Sequence, residues 1–138
     1  MDAGTDDPRL ANIRQEWHWV KPGLEEILAN SPDINEIPED VYASCISGQA
    51  HLWVTPDYFV VTRFLFDEEQ KGLLIWKAWS KDRGNRYSIE GHKFFERLAL
   101  SQQCEFMQTQ TAHAPLVDHF LTNLGYRVES YILTKDIG

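Results

Sequence analysis

Residues 52–79 read LWVTPDYFVVTRFLFDEEQKGLLIWKAW, and this stretch determines the fold class. It contains three runs that are rich in β-branched and aromatic residues, as strands are: 52–54, 58–66 and 73–79. The turn Thr55-Pro56-Asp57 separates the first two runs, and a charged turn over 67–71, closed by Gly72, separates the last two. The pattern therefore predicts three consecutive antiparallel strands.

Two short helices are predicted before these strands. The segment Pro22 to Asn30 has acids in its first turn and carries apolar residues at helical spacing, namely Leu24, Ile27 and Leu28. A second helix is predicted to begin at Pro38 and to end at Gly48, with three residues facing inward: Val41, Tyr42 and Cys45.

After the strands, helix and strand patterns alternate. Ser88 is a good N-cap for a helix that runs to about Gln102, with its apolar side formed by Phe94, Phe95, Leu98 and Leu100. The remaining predicted elements are a strand over 104–111, a helix over 115–124 that ends at Gly125, and a strand over 126–134. This order predicts one α/β domain over 1–138, in which helices flank a mixed, mainly antiparallel sheet.

The composition is typical of a single globular domain. The chain has 138 residues, of which 43% are hydrophobic, 12% aromatic and 25% charged, and this excludes a low-complexity chain. No apolar run approaches the roughly 18 residues of a membrane span, and the N-terminus lacks the basic and apolar regions of a signal peptide. We therefore expect synthesis in the cytoplasm and no membrane partner.

Cysteine and histidine spacing gives no metal site. Cys45 and Cys104 have no short-spaced Cys or His beside them, so we expect two buried free thiols rather than a zinc cage or a disulfide. His113 and His119 are six residues apart, which places them on different faces of a helix. No metal ligand is therefore predicted.

The net charge of −8 is concentrated at the N-terminus. Residues 1–40 contain ten acids and three bases, whereas the rest of the chain is nearly neutral. Without a basic stripe, direct binding of nucleic acid is disfavoured. Residues 1–20 are a candidate extended acidic arm, and two interpretations of it stay open: a solvated segment that aids solubility, or a docking segment for another protein.

The element order and the segment FLTNLGY, Phe120 to Tyr126, resemble the C-terminal half of the GNAT acyltransferase fold. Gly125 can take the left-handed conformation that ends a helix, and the aromatic residue after it packs back onto the sheet. The resemblance covers most of the chain in the order of its elements. Its local motif is this junction, followed by a strand that ends in Leu133-Thr134-Lys135.

The resemblance implies a loop for acyl-coenzyme A. GNAT enzymes use the pattern Gln/Arg-x-x-Gly-x-Gly/Ala, in which backbone N–H groups at a helix N-terminus bind the pyrophosphate. The equivalent stretch here is 82–88, where Arg86 and Ser88 stand at positions that the family fills with small residues. The expectation is therefore no cofactor. If acetyl-CoA does bind, the expected residues are Arg83, Gly84, Asn85 and Arg86.

The general acid of the family is also missing. Many GNAT enzymes protonate the departing thiolate with a tyrosine of the Phe-Tyr-x-x-Leu-Gly-Phe segment, and the matching residue here is Leu121. Tyr126 matches the packing aromatic instead, so we expect it to face the core. Glu105 and His51 are alternative candidate bases, although structural roles are expected more often for such residues. No catalytic residue is assigned.

A GNAT-like fold without the family's catalytic residues resembles the small GNAT-like virion proteins of short-tailed bacteriophages. The stretches that carry this second resemblance are 17–28, 38–43 and 74–79. It implies a non-enzymatic structural or internal, portal-proximal protein of the virion, made in the host cytoplasm. Its partners would be portal, tail or internal core proteins, and it is a candidate oligomer.

Five tryptophans are many for this length. Trp76 and Trp79 are three residues apart on one predicted strand, so we expect them to point to opposite faces. The candidate partner-binding residues are Trp17, Trp19 and Trp79, because aromatic anchors are enriched at protein interfaces.

Two other functions stay open. The first is an active N-acyltransferase that uses acetyl-CoA on a small amine or a protein. The second is an intracellular inhibitor that binds a host enzyme through the acidic region.

Overall fold

A computed structural model describes residues 7–29, 35–81, 89–110, 114–129, 133 and 135–137. Its strands are β1 (Arg9–Ala11), β2 (Ala50–Val54), β3 (Tyr58–Asp67), β4 (Gln70–Ser80) and β5 (Phe106–Thr109). Its helices are α1 (Ile13–Ala29), α2 (Pro38–Ile46), α3 (Ile89–Ser101) and α4 (Ala114–Asn123).

The described strands form one mixed, mainly antiparallel sheet in the order β1-β2-β3-β4-β5, as predicted. β1 to β4 pair antiparallel, and β5 pairs parallel with β4 after the α3 crossover. The predicted three-strand meander corresponds to β2, β3 and β4. The turn between β3 and β4 contains only Glu68 and Glu69, and Glu68 takes a left-handed φ of 53°.

Each face of the sheet buries its own apolar cluster. On the face covered by the first two helices, called the α1–α2 face below, the cluster includes Val20, Leu24, Val41, Leu52, Phe59 and Val61. On the opposite face, the α3 face, it includes Tyr58, Val60, Leu73, Ile75, Phe95 and Ala99. Because consecutive strand residues point to opposite faces, β3 contributes to both layers, which explains its nearly continuous apolar sequence.

The first helix begins nine residues earlier than predicted. α1 starts at Ile13, directly after Asn12, whose side chain accepts a hydrogen bond from the backbone N–H of Arg14 at 2.9 Å. Pro22 was predicted to start the helix but lies inside it, because burial of Ile13, Val20 and Leu24 on one face outweighs the cost of an internal proline. Residues 9–20 therefore form β1 and half of α1, and are not an extended acidic arm.

Gly72 does not close the turn between β3 and β4. It is buried within β4, where it pairs with Phe106, and the Phe106 ring lies over its Cα. A Cβ at this position would overlap that ring. The glycine therefore allows close approach between a strand and a neighbouring aromatic side chain.

The C-terminal elements differ from prediction in two places. Leu100 was expected on the apolar side of α3, but it is 75% exposed and Ala99 is buried instead. The predicted strand over 126–134 is absent at 126–129 and 133, and its other residues lie outside the described part of the chain. α4 ends as predicted, and Gly125 has the left-handed φ of 76° expected of a helix C-terminus.

Candidate functional site

The candidate site lies along β4, beyond the point where its pairing with β5 ends. The two strands pair in parallel from Gly72 and Phe106 to Ile75 and Thr109, and β4 then continues to Ser80 without a β5 partner among the described residues. Ligands of open α/β sheets commonly bind beyond the carboxyl ends of such strands. We call the region of β4 from Trp76 to Ser80 the β4–β5 notch.

A bulge in β4 shapes this notch. Val61 pairs with Lys77 and Thr62 pairs with Ile75, so Trp76 has no partner on β3. An extra residue in one strand shifts the alternation of the side chains that follow it. Trp76 and Trp79 therefore both pack on the α1–α2 face, and the prediction that they point to opposite faces is wrong.

The bulge also turns a charged side chain into the core. The Lys77 ammonium donates a hydrogen bond to the Glu36 carboxylate at 2.7 Å, and only 6% of the Lys77 side chain is exposed. A second cation, the Arg63 guanidinium, lies 4.7 Å from the centre of the Trp76 ring. The Lys77–Glu36 pair connects β4 to the segment that enters α2. The Glu36 carboxylate compensates the buried charge of Lys77.

The three candidate partner-binding tryptophans lie on the α1–α2 face, each partly buried. Trp19 and Trp79 have ring centres 6.3 Å apart and both contact Phe59, at 5.6 and 5.8 Å. Trp17 meets the edge of Tyr42 at 4.8 Å. All three pack against the core cluster of this face while part of each ring stays accessible. Their role in binding a partner stays a prediction.

Carboxylates accept the indole N–H groups of two of these tryptophans. Trp79 donates to Glu26 at 2.7 Å, and Trp19 donates to Glu16 at the same distance. The Lys81 ammonium lies 4.9 Å from the centre of the Trp19 ring. The end of β4 is thus surrounded by aromatic rings with paired carboxylates, an arrangement that fixes the ring orientations.

The structure describes the residue at the predicted acid position but not the residues predicted to bind the cofactor. Arg83, Gly84, Asn85 and Arg86 lie outside the described residues. Leu121 lies on α4 and is 39% exposed. The placement of the predicted loop over 82–88 therefore stays a prediction.

Tyr126 faces the core, as predicted. Its hydroxyl is hydrogen-bonded to His92 Nε2 at 2.9 Å, and its ring centre lies 4.9 Å from that of Phe120. Burial, and to a smaller extent the charge of Glu96, raise the pKa of Tyr126. The hydroxyl therefore links α3 to the end of α4 and is poorly suited to shuttle a proton near neutral pH.

The two alternative bases lie away from the notch. The Glu105 backbone N–H donates to the Lys71 carbonyl at 2.7 Å, at the opposite end of the paired region and roughly 13 Å of strand from Thr109. His51 lies on β2, opposite Thr62, and its ring contacts Phe64. The structure does not bring Glu105 and His51 together.

Lys77, Glu36 and His92 were not predicted as site residues from the sequence. The signal for Lys77 was a lysine inside the apolar run of β4, which is difficult to satisfy without a buried partner. Burial lowers the pKa of His92, while Glu96 raises it and His119 lowers it. Among the described ranges, no cluster of three or more His, Cys, Asp or Glu side chains suits a metal ion, and no helix could cross a membrane.

Comparison with known proteins identifies the fold. No family model and no curated protein matches this sequence. A probable acetyltransferase matches with a TM-score of 0.70 at 10% identity, over 94% of this chain and 99% of that one. An aminoglycoside N-acetyltransferase in complex with CoA matches with a TM-score of 0.67 at 10% identity, over 95% and 93% of the two chains.

A third match is the ribosomal-protein-alanine N-acetyltransferase from Brucella melitensis biovar Abortus 2308, with a TM-score of 0.64 at 14% identity, over 94% of this chain and 99% of that one. The chain therefore has the GNAT acetyltransferase fold, which confirms the fold that the sequence resemblance implied. At these identities the likeness concerns the fold alone.

Proposed function

We propose that this chain uses the GNAT fold as a binding scaffold and acts through contacts with other proteins, without acyl transfer. One observation carries the proposal: the tyrosine hydroxyl nearest in sequence to the family's acid position is bonded to His92, and the acid position itself is Leu121. Leucine has no proton to donate. The Tyr126 phenol, whose pKa is raised by burial, keeps its proton and its bond to α3.

The remaining titratable candidates support the same proposal. Glu105 lies at the far end of the β4–β5 pair, and the carboxylates near the notch accept hydrogen bonds from Trp79 and Lys77. A general base must reach the proton that it removes, directly or through one water. The carboxylates on this face instead orient aromatic rings and compensate a buried lysine.

The location we propose is a bacteriophage particle, in which the protein is a structural or internal, portal-proximal component. The sequence resemblance of 17–28, 38–43 and 74–79 supports it, and portal, tail or internal core proteins are the proposed partners. Quantitative mass spectrometry of purified particles tests this location. A constant copy number per particle is expected, and recovery only in the soluble lysate fraction would refute it.

A second candidate function is N-acyl transfer from acetyl-CoA to an amine. It is favoured by the end of the β4–β5 pairing at Ile75 and Thr109, because ligands of open α/β sheets commonly bind beyond the carboxyl ends of such strands. Acetyl-CoA would supply the activated acyl group. Arg83, Gly84, Asn85 and Arg86 are the residues proposed to hold its phosphates.

Calorimetric titration with acetyl-CoA separates the two functions. The binding proposal expects no heat of binding at ligand concentrations up to about 1 mM. Low-micromolar affinity that is lost in Arg86→Ala but kept in Arg127→Ala, together with thiol release in the presence of an amine, would establish the transferase and reject the scaffold. Arg127 is an exposed arginine outside the predicted loop and serves as the matched control.

A further inference from the structure

The C-terminal half of β3 has an open edge. β2 pairs with β3 from Phe59 to Arg63, and its last partner is Ala50. β3 continues through 64–67, where it pairs only with β4 among the described residues. Its other edge over 64–67, which we call the open β3 edge, therefore presents backbone donors and acceptors that no described strand uses.

Apolar side chains flank this edge on both faces of the sheet. Phe66 is 77% exposed, and Phe64 lies beside it on the α3 face with the Lys71 ammonium 4.3 Å from its ring centre. Leu65 points to the other face, opposite Gly72 and near the Phe106 ring that covers that glycine. Natural edge strands are usually protected by lysine, proline or a bulge. None of these occurs at 64–67.

The charge around the open β3 edge is acidic. Asp67 ends β3, and Glu68 and Glu69 form the turn that follows it, so three carboxylates lie at the hairpin tip next to this edge. Two cations lie near this edge among the described residues: the Lys71 ammonium over the Phe64 ring and the Arg63 guanidinium over the Trp76 ring. A strand that pairs with this edge would therefore meet the three carboxylates of the hairpin tip at one end.

We infer that the open β3 edge binds an extended, basic segment of another protein by adding a strand to the sheet. Backbone hydrogen bonds along 64–67 supply the pairing, and lysine or arginine side chains of the partner approach Asp67, Glu68 and Glu69. A second copy of this chain is the weaker occupant, because its net charge is −8 and its own hairpin tip is acidic. The inference rests on the proposed binding function and names the partner's chemistry.

The probe is an end-capped eight-residue peptide of alternating lysine and valine, with a glutamate-and-valine peptide as its control. We expect the basic peptide to bind and to shift the backbone amide resonances of 64–67. Its affinity should decrease as the salt concentration is raised. Phe66→Lys adds a repelling charge at an exposed position, so it should reduce affinity at least about tenfold without unfolding the chain.

Leu10→Lys is the matched control, because Leu10 is an exposed residue of the edge strand β1, where the neighbouring charge is Arg9. This variant should bind the basic peptide as the parent chain does. Absence of binding, equal binding of the acidic peptide, or unchanged affinity in Phe66→Lys overturns the inference. A dimer in sedimentation that Phe66→Lys converts to a monomer also overturns it, since the occupant would then be a second copy.

The peptide experiment and the acetyl-CoA titration can fail separately. If acetyl-CoA binds and turns over, the proposed function fails whether or not the peptide binds. If neither acetyl-CoA nor the basic peptide binds, the scaffold proposal stands and only the open β3 edge is wrong as its docking surface.

Discussion

The ammonium of Lys77 lies 2.7 Å from the carboxylate of Glu36, and the two groups differ in burial: 6% of the Lys77 side chain is exposed, against 29% of Glu36. The pair joins the residue after the β4 bulge to the segment before α2, 41 residues away in the sequence. The Lys77 charge is enclosed, whereas the Glu36 charge reaches water. Removal of Lys77 and removal of Glu36 should therefore change stability by different amounts.

Glu36→Gln is expected to destabilise the fold by about 3 kcal/mol, since it leaves the buried Lys77 ammonium without a countercharge. Lys77→Met is expected to cost clearly less, because methionine fills similar space and the freed carboxylate becomes hydrated. Urea unfolding followed by tryptophan fluorescence measures both free energies of unfolding.

The double variant Glu36→Gln/Lys77→Met is the control for this pair. Its stability should be close to that of Lys77→Met, because no buried charge remains. Equal losses in the two single variants would contradict the assignment of Lys77 as the buried partner.

Gly72→Ala tests the contact between β4 and β5. A Cβ at Gly72 would overlap the Phe106 ring, so the ring or the strand must move, and we expect a loss of about 1–3 kcal/mol. In a Phe106→Ala background the same substitution should cost less than about 0.5 kcal/mol, because the obstructing ring is gone. Additive losses in a urea-unfolding cycle would show that Gly72 is required for another reason.

The sequence predicted the sheet better than the site. Tyr58 to Asp67 and Gln70 to Ser80 are rich in β-branched and aromatic residues, and this local composition suffices to locate both strands. The bulge at Trp76 depends on how β3 and β4 align, which composition does not encode. Strict alternation therefore placed Trp76 and Trp79 on opposite faces, which is wrong, and gave no indication that Lys77 enters the core.

Long-range contacts explain the remaining misses. Glu36 meets Lys77, and Tyr126 meets His92 from 34 residues away, so no spacing rule in the sequence connects them. The start of α1 has a local signal in Asn12, a good N-cap residue, and the prediction that began the helix at Pro22 missed it.

His92 is expected to make stability depend on pH. Its pKa is lowered from 6.5, mainly by burial, so the unfolded chain takes up a proton at higher pH than the folded one. Stability should be fully present above about pH 6.5 and should fall as the pH decreases below it. Glu96 and His119 also face the His92 ring. The charge of Glu96 raises the pKa of His92 and so opposes the loss of stability, whereas His119 lowers that pKa and adds to the loss.

Urea unfolding at several pH values between about 5 and 8 measures the dependence on His92. In His92→Gln, which keeps a polar side chain near the Tyr126 hydroxyl, the decrease on acidification should be smaller than in the parent chain. An equal decrease in both proteins would assign the pH dependence to other groups.

Pro22→Ala is expected to stabilise the protein. Pro22 is exposed within α1, where it lacks the N–H that would bond to the His18 carbonyl and where its ring crowds that carbonyl, at a cost of about 3 kcal/mol in a helix interior. Alanine restores the bond, while the unfolded chain gains about 0.4–1 kcal/mol of conformational freedom, so a net gain of about 2 kcal/mol is expected.

Glu25→Ala, an exposed substitution one turn further along, should change stability by less than about 0.5 kcal/mol. A loss of stability in Pro22→Ala would mean that the packing of Val20 and Leu24 in the core depends on the proline.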